Sequence, residues 1–104
     1  MKFSIFGAGG VGGYFGGRLA QAGDDVTFIA RGEHLKAIRE RGLRVESING
    51  DFTVHPAQAT DDPASVGEVD YVLVAVKGWQ LPEAILQMKP LVGVRTSVVW
   101  LGNG

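Results

Sequence analysis

Gly7-Ala8-Gly9-Gly10-Val11-Gly12 follows directly on the apolar run Phe3–Phe6. It spells G-x-G-x-x-G in the setting that gives the spacing its chemistry, a short strand before it and a helical stretch after it. Gly7 allows the tight turn out of the strand, Gly9 lets backbone approach a pyrophosphate, and Gly12 lets the following helix pack closely on the sheet. The helix start then offers free N–H groups and a partial positive charge to phosphate oxygens. Three further groups stand just after strand-like runs: Arg31-Gly32, Lys77-Gly78-Trp79-Gln80 and Gly102-Asn103-Gly104. In an open α/β sheet ligands sit outside the carboxyl ends of the strands, so these groups and the glycine loop converge on one crevice. Together they point to a dinucleotide.

The end of the second strand selects which dinucleotide. An NAD site carries Asp or Glu there, about 20 residues past the glycine loop, to bond the ribose 2′-hydroxyl. Here the strand ends Ile29-Ala30-Arg31, while Asp24 and Asp25 precede it and fall at the wrong end. A guanidinium suits a 2′-phosphate, which it grips with two parallel N–H groups. NADPH is therefore expected in preference to NADH. Lys36 and Arg39, on the next helix, are read as solvated.

The elements that must position these residues alternate between strand and helix. Lys2–Phe6 reads as the first strand and 10–22 as the first helix, closed by Gly23. Gly13, Gly16 and Gly17 inside that helix each cost roughly 1 kcal/mol relative to alanine. Such a cost is tolerable where one face lies very close to a sheet or ligand. Val26–Ala30 reads as a strand and Glu33–Arg41 as a helix. Leu43–Ile48 and Asp51–His55 flank Asn49-Gly50, which predicts a tight hairpin at about 43–55 with both turn residues at positive φ. Asp61-Asp62-Pro63 to Gly67 reads as a loop or short helical turn. Val69–Val76 has the continuous apolar character of a strand buried on both faces. Leu81, Ile85 and Met88 mark a helical face, and Thr96–Leu101 is the last strand. The pattern predicts an α/β, Rossmann-type, doubly wound parallel sheet with flanking helices.

Composition removes other classes. The chain has 104 residues, 45% hydrophobic and 20% charged, with a formal net charge of −1. No basic surface argues for nucleic acid or an anionic membrane, and no segment reaches the ~20 apolar residues that cross a bilayer. Without cysteine there is no disulfide, thiolate metal site or cysteine nucleophile; a cytoplasmic location fits. His34 and His55 belong to no cluster with metal-ligand spacing, so no metal is expected. The pairs Asp61-Asp62 and Glu68-x-Asp70 are read as lying away from the crevice, and the Trp and Phe residues as core.

The combination of Gly7–Gly12, Ala30-Arg31 followed by Glu33-His34-Leu35, Val76-Lys77-Gly78-Trp79-Gln80 and Asn103-Gly104 resembles the ketopantoate reductase (2-dehydropantoate 2-reductase) family over essentially the whole chain. The glycine loop is common to many oxidoreductases; Lys-x-x-Gln after the buried strand with a later Asn-Gly is much narrower. The resemblance implies an NADP-dependent oxidoreductase of pantothenate and coenzyme A biosynthesis, acting on a small keto acid. It implies that Arg31 holds the 2′-phosphate and that Gly7, Ala8, Gly9, Gly10, Val11 and Gly12 hold the pyrophosphate. Lys77 and Gln80 would lie along the cofactor on the nicotinamide side, and Asn103 would contact its ribose and help to position substrate.

The family also carries a second, helical domain with the catalytic lysine and a substrate-binding glutamate, and nothing in this sequence corresponds to it. The chain is therefore read as a truncated N-terminal NADPH-binding domain, residues 1–104, with no catalytic acid of its own. Lys77 and Asn103 are the residues nearest the nicotinamide and substrate. Two alternatives stand beside this reading: a stand-alone NADP(H)-binding or sensing module, and a reductase of the same fold acting on another 2-keto acid. A hydrophobic face meant for the second domain would be exposed, so self-association is expected.

Overall fold

The computed structural model describes residues 1–7 and 10–101. Five parallel strands form one sheet: β1 (Lys2–Phe6), β2 (Asp25–Ile29), β5 (Gln58–Thr60), β6 (Tyr71–Val74) and β7 (Ser97–Trp100). Their spatial order is β5-β2-β1-β6-β7. The chain winds outward from β1 through β2 to β5, then returns to β6 on the other side of β1. The order thus reverses between β1 and β6, and this reversal opens a crevice at the carboxyl ends of those strands. Register places Ile5 beside Phe28 and Leu73, and Phe6 beside Ile29 and Val74.

Helix α1 (Gly10–Gln21), Ile38 of helix α2 (Gly32–Arg41) and the hairpin β3 (Leu43–Val45)/β4 (Phe52–Val54) pack on one face of the sheet around Phe3, Ile5, Val26 and Phe28. Helix α3 (Leu81–Met88) covers the other face, where Ala84, Met88 and Leu91 meet Phe6, Val72 and Val74. Successive side chains of β1 point to opposite faces, so Ile5 and Phe6 belong to different cores.

The glycines of α1 let it sit between two neighbours. A Cβ on Gly16 would stand 2.7 Å from Phe28 Cε1 and 2.8 Å from Ile5 Cγ1, both on fully buried side chains of the sheet. A Cβ on Gly17 would stand 2.8 Å from the Phe52 ring of the hairpin. On the outer side of α1 the Arg18 guanidinium lies 4.0 Å from the centroid of that same ring. The helix ends where Gly23 donates to the Ala20 carbonyl and Asp24 to that of Leu19.

Three sequence expectations are corrected, and one strand was missed. Asn49-Gly50 does not form a two-residue turn, because Val45 pairs with Phe52 and the whole of 46–51 is loop. Gly50 alone of the two has positive φ, +112°. Side chains favour the wider loop: Asp51 Oδ1 accepts from the Ser47 N–H at 3.0 Å, and Ser47 Oγ from that of Asn49 at 3.1 Å. Strand β5 was not legible, since Gln-Ala-Thr is too short and polar to show a pattern. On α3 the inward residues are Ala84 and Met88, while Ile85 is exposed. Finally, Trp79, Trp100 and Phe15 lie at the surface rather than in a core.

The Gly16 contact generates a prediction. Helix propensity alone would make Gly16→Ala stabilising by about 1 kcal/mol, but overpacking costs about 1–3 kcal/mol. Two buried side chains block the new methyl, so Gly16→Ala is expected to lower the thermal midpoint by several degrees. Gly17→Ala should cost less, because the half-buried Phe52 ring can shift. Equal or raised midpoints for both would refute the packing argument.

Candidate functional site

A cleft of about 530 Å³ opens at the carboxyl ends of the strands, within the range of small-molecule sites. Its floor is the end of β1, Phe6 and Gly7. One wall is Ile29, Ala30 and Arg31 at the end of β2, with His34 and Asp61 beside them. The opposite wall is Val76, Trp79 and Gln80, continued along α3 by Glu83, Ala84 and Gln87. Of the candidate residues, the structure brings Gly7, Arg31 and Gln80 to this cleft.

The floor is built by backbone contact. Gly7 has φ +88°, and a Cβ there would stand 2.8 Å from both C and O of Ala75. A Cβ on Gly12 would collide with the Gly7 carbonyl oxygen. The end of β1, the start of α1 and the end of β6 therefore meet with no room for side chains. Gly10 and the exposed Val11 open α1, and Gly12 is buried in its first turn. Ala8, Gly9 and Asn103 lie outside the described residues.

Lys-x-x-Gln has a local structural meaning. Val76 is followed by a single 3₁₀ turn, Gly78–Gln80, which leads straight into α3. The Gln80 N–H donates to the Lys77 carbonyl at 2.8 Å, and the Lys77 N–H donates to Gln80 Oε1 at 3.0 Å. This reciprocal pair satisfies two backbone groups that the start of a helix would otherwise leave open. The Lys77 side chain is exposed and is not among the residues lining the cleft. Trp79 is 78% exposed at its rim.

Two acidic residues of the cleft escaped the sequence reading. Asp61 follows β5, so the unrecognised strand carries it to the carboxyl side; the expectation that it lies away from the crevice is corrected. Glu83 lies in the first turn of α3, where a carboxylate is favoured by the helix dipole. Its Oε1 accepts from Nη1 and Nη2 of Arg31, each at 3.4 Å, and from Gln87 Nε2 at 3.2 Å. Arg31 and Glu83 are 72% and 58% exposed, so this ion pair is worth about 0–1 kcal/mol. Acid at i+6 from the Lys was the available signal, but a helix N-terminus explains such a residue equally well.

A second groove, about 430 Å³, runs along β5 past Lys2, Asp25, Thr27 and Gln58. Several of its polar groups are already paired internally. Gln58 Nε2 donates to Asp25 Oδ1 at 2.7 Å, Lys2 Nζ to the Val66 carbonyl at 3.1 Å, and Arg39 Nε to that of Ala59 at 3.0 Å. Arg39 is thus bound to the β5 backbone rather than simply solvated. The first cleft is the candidate site.

The model of the family described as ketopantoate reductase PanE/ApbA matches residues 3–104. The chain belongs to that family. A 2-dehydropantoate 2-reductase of Mesorhizobium japonicum is 44% identical over 105 residues, covering all of this chain and 32% of that protein. The crystal structure of 2-dehydropantoate 2-reductase from Geobacter metallireducens superposes with a TM-score of 0.91 at 38% identity, over all of this chain and 34% of that one. A ternary structure of D-mandelate dehydrogenase with NADH and anilino(oxo)acetate superposes at 0.87 with 29% identity, again over all of this chain and 34% of that one. The chain spans about a third of the length of the family members it matches. No helix among the described residues is long and apolar enough to cross a membrane.

The Gln80 pairing predicts a stability effect separable from ligand contact. Gln80→Ala leaves the Lys77 N–H without its acceptor and is expected to cost about 1 kcal/mol, seen as a midpoint lower by several degrees. Gln80→Glu keeps an acceptor and should retain most of the stability. Parental midpoints in both variants would mean that the side chain does not hold the turn.

Proposed function

We propose that this chain is the NADPH-binding domain of a reductase that converts 2-dehydropantoate to pantoate. In this reading residues 1–104 form the nucleotide-binding part of a longer polypeptide. Gly7 to Gly12 receive the pyrophosphate, including Ala8 and Gly9, and the guanidinium of Arg31 receives the 2′-phosphate. The observation that carries it is the position of Arg31, at the carboxyl end of β2 and on the wall of the cleft whose floor is Gly7. No carboxylate ends that strand, because Asp25 begins it, paired with Lys2.

The donor set fits a dinucleotide. Bare backbone at Gly7 and Gly12 lets β1 turn tightly into α1 against Ala75, bringing the start of α1, where N–H groups lack partners within the helix, beside the end of β1. Arg31 offers a planar fork of N–H donors matched to phosphate geometry. When bound, the nicotinamide supplies a hydride to the keto carbon. The residues of this chain bind and orient; Lys77, Gln80 and Asn103 are proposed for the nicotinamide side, with Gln80 also fixing the turn that carries them. The proton donor to the keto oxygen is proposed to come from the second domain that the family resemblance implies.

The similarity to D-mandelate dehydrogenase supports a second reading, a reductase of another 2-keto acid. A binding or sensing module is the alternative without catalysis. Cofactor choice is common ground for testing all three. In a fluorescence titration the protein should bind NADPH more tightly than NADH. Arg31→Ala should weaken NADPH roughly 10- to 100-fold, the loss of charged hydrogen bonds worth about 1.5–3 kcal/mol, and leave NADH within about twofold. Equal losses for both nucleotides would overturn the 2′-phosphate assignment.

A further inference from the structure

Arg31 does not stand free on the wall of the cleft. Both terminal nitrogens of its guanidinium donate to one oxygen of Glu83, across from β2 on α3. Those two N–H groups form one of the forked edges that a phosphate would grip. The lining of the cleft adds a second carboxylate, Asp61, and neutral or weakly basic groups, His34, Gln80 and Gln87. Arg31 is the one fixed cation among these lining residues, set against two carboxylates. Lys36 and Arg39 on α2 do not line the cleft, and Arg39 is turned to the β5 backbone.

Charge therefore works in two directions at this wall. Arg31 attracts a 2′-phosphate, while Glu83 occupies the same donors and repels the incoming dianion. We propose that Glu83 is a specificity-determining residue that lowers the preference of the cleft for 2′-phosphorylated nucleotides by competing for Arg31. The proposal rests on the assignment of Arg31 to the 2′-phosphate. Glu83 reaches Arg31 through one oxygen only, at 3.4 Å and in contact with water, so the phosphate can displace it. The same oxygen is held by Gln87 from the next turn of α3. That contact keeps the carboxylate near the cleft wall after Arg31 is taken, so repulsion persists in the complex. The consequence is a cleft that accepts both nucleotides with a modest preference instead of rejecting one.

The simplest rival is that Glu83 serves only the helix dipole of α3. That role affects stability and is indifferent to the 2′-phosphate. The two separate in a titration with 2′,5′-ADP and 5′-AMP, which differ only in that group, run on the parent protein, Glu83→Gln, Arg31→Ala and the double variant. Thermal midpoints are recorded in parallel. Glu83→Gln is expected to bind 2′,5′-ADP about three- to tenfold more tightly and 5′-AMP within twofold of parent. That gain should vanish in the Arg31→Ala background.

Unchanged or weaker 2′,5′-ADP binding in Glu83→Gln, beside a selective loss in Arg31→Ala, overturns the role of Glu83 and leaves the 2′-phosphate site standing. An equal gain for both ligands also overturns it, since the effect would then concern general charge. If Arg31→Ala loses nothing selectively for 2′,5′-ADP, the cofactor assignment itself fails, and the proposal falls with it.

Discussion

The cleft exists because three backbone segments meet where no side chain fits. Gly7 rests against the Ala75 carbonyl, and Gly12 rests against that of Gly7. A methyl at either position would face backbone, which cannot rotate aside as a side-chain tip can. This contact fixes how far β1 projects before α1 begins and how closely β6 runs beside it. Since β1 and β6 flank the reversal in strand order, the same contact sets the floor of the crevice. Farther along α1, Gly16 continues the close approach against Ile5 and Phe28. The helix gives up intrinsic propensity to obtain that approach. Its outer side regains packing through the Phe52 hairpin and the Arg18 guanidinium.

The parts of the fold dominated by such local constraints were legible in the residues. G-x-G-x-x-G after an apolar run locates β1 and α1, and its Gly7 and Gly12 stand where a side chain would meet backbone. The apolar runs of β2, β6 and β7 and the Pro-bounded α3 are similarly legible. What escaped depended on partners distant in sequence. Gln58–Thr60 becomes a strand only because β2 offers it an edge. That pairing in turn carries Asp61 to the cleft, so one missed strand hid one site residue. Asn49-Gly50 misled for the opposite reason, since a strong local signal was outcompeted by side-chain bonds from Ser47 and Asp51. Trp79 and Phe15 were assigned to the core on residue type, and large apolar residues at a ligand cleft or an outer helix face defeat that inference.

Lys77-x-x-Gln80 illustrates how one motif can satisfy two demands. Read as chemistry, it supplies a cation and an amide beside a strand end. Read as structure, Gln80 closes a single turn by exchanging hydrogen bonds with the Lys77 backbone. The structural demand concerns Gln80 alone. Any residue with a backbone N–H could occupy position 77, so helix geometry gives no reason for lysine there. The lysine side chain itself is exposed and does not line the cleft.

The cleft combines a rigid floor with a compliant rim. Its floor is enforced by contacts that backbone cannot relieve, so its shape is insensitive to small changes in neighbouring side chains. Its rim is made of exposed groups, Arg31 and Glu83, joined by an interaction worth no more than about 1 kcal/mol. At that scale a single charge at the end of β2 or the start of α3 shifts an affinity ratio by about fivefold without disturbing the fold. A solved relative of 29% identity holds NADH on the same architecture at a TM-score of 0.87. The contacts that shape the floor lie in the chain path and the charges of the rim on side chains in solvent, so the rim can change its charge while the backbone is kept.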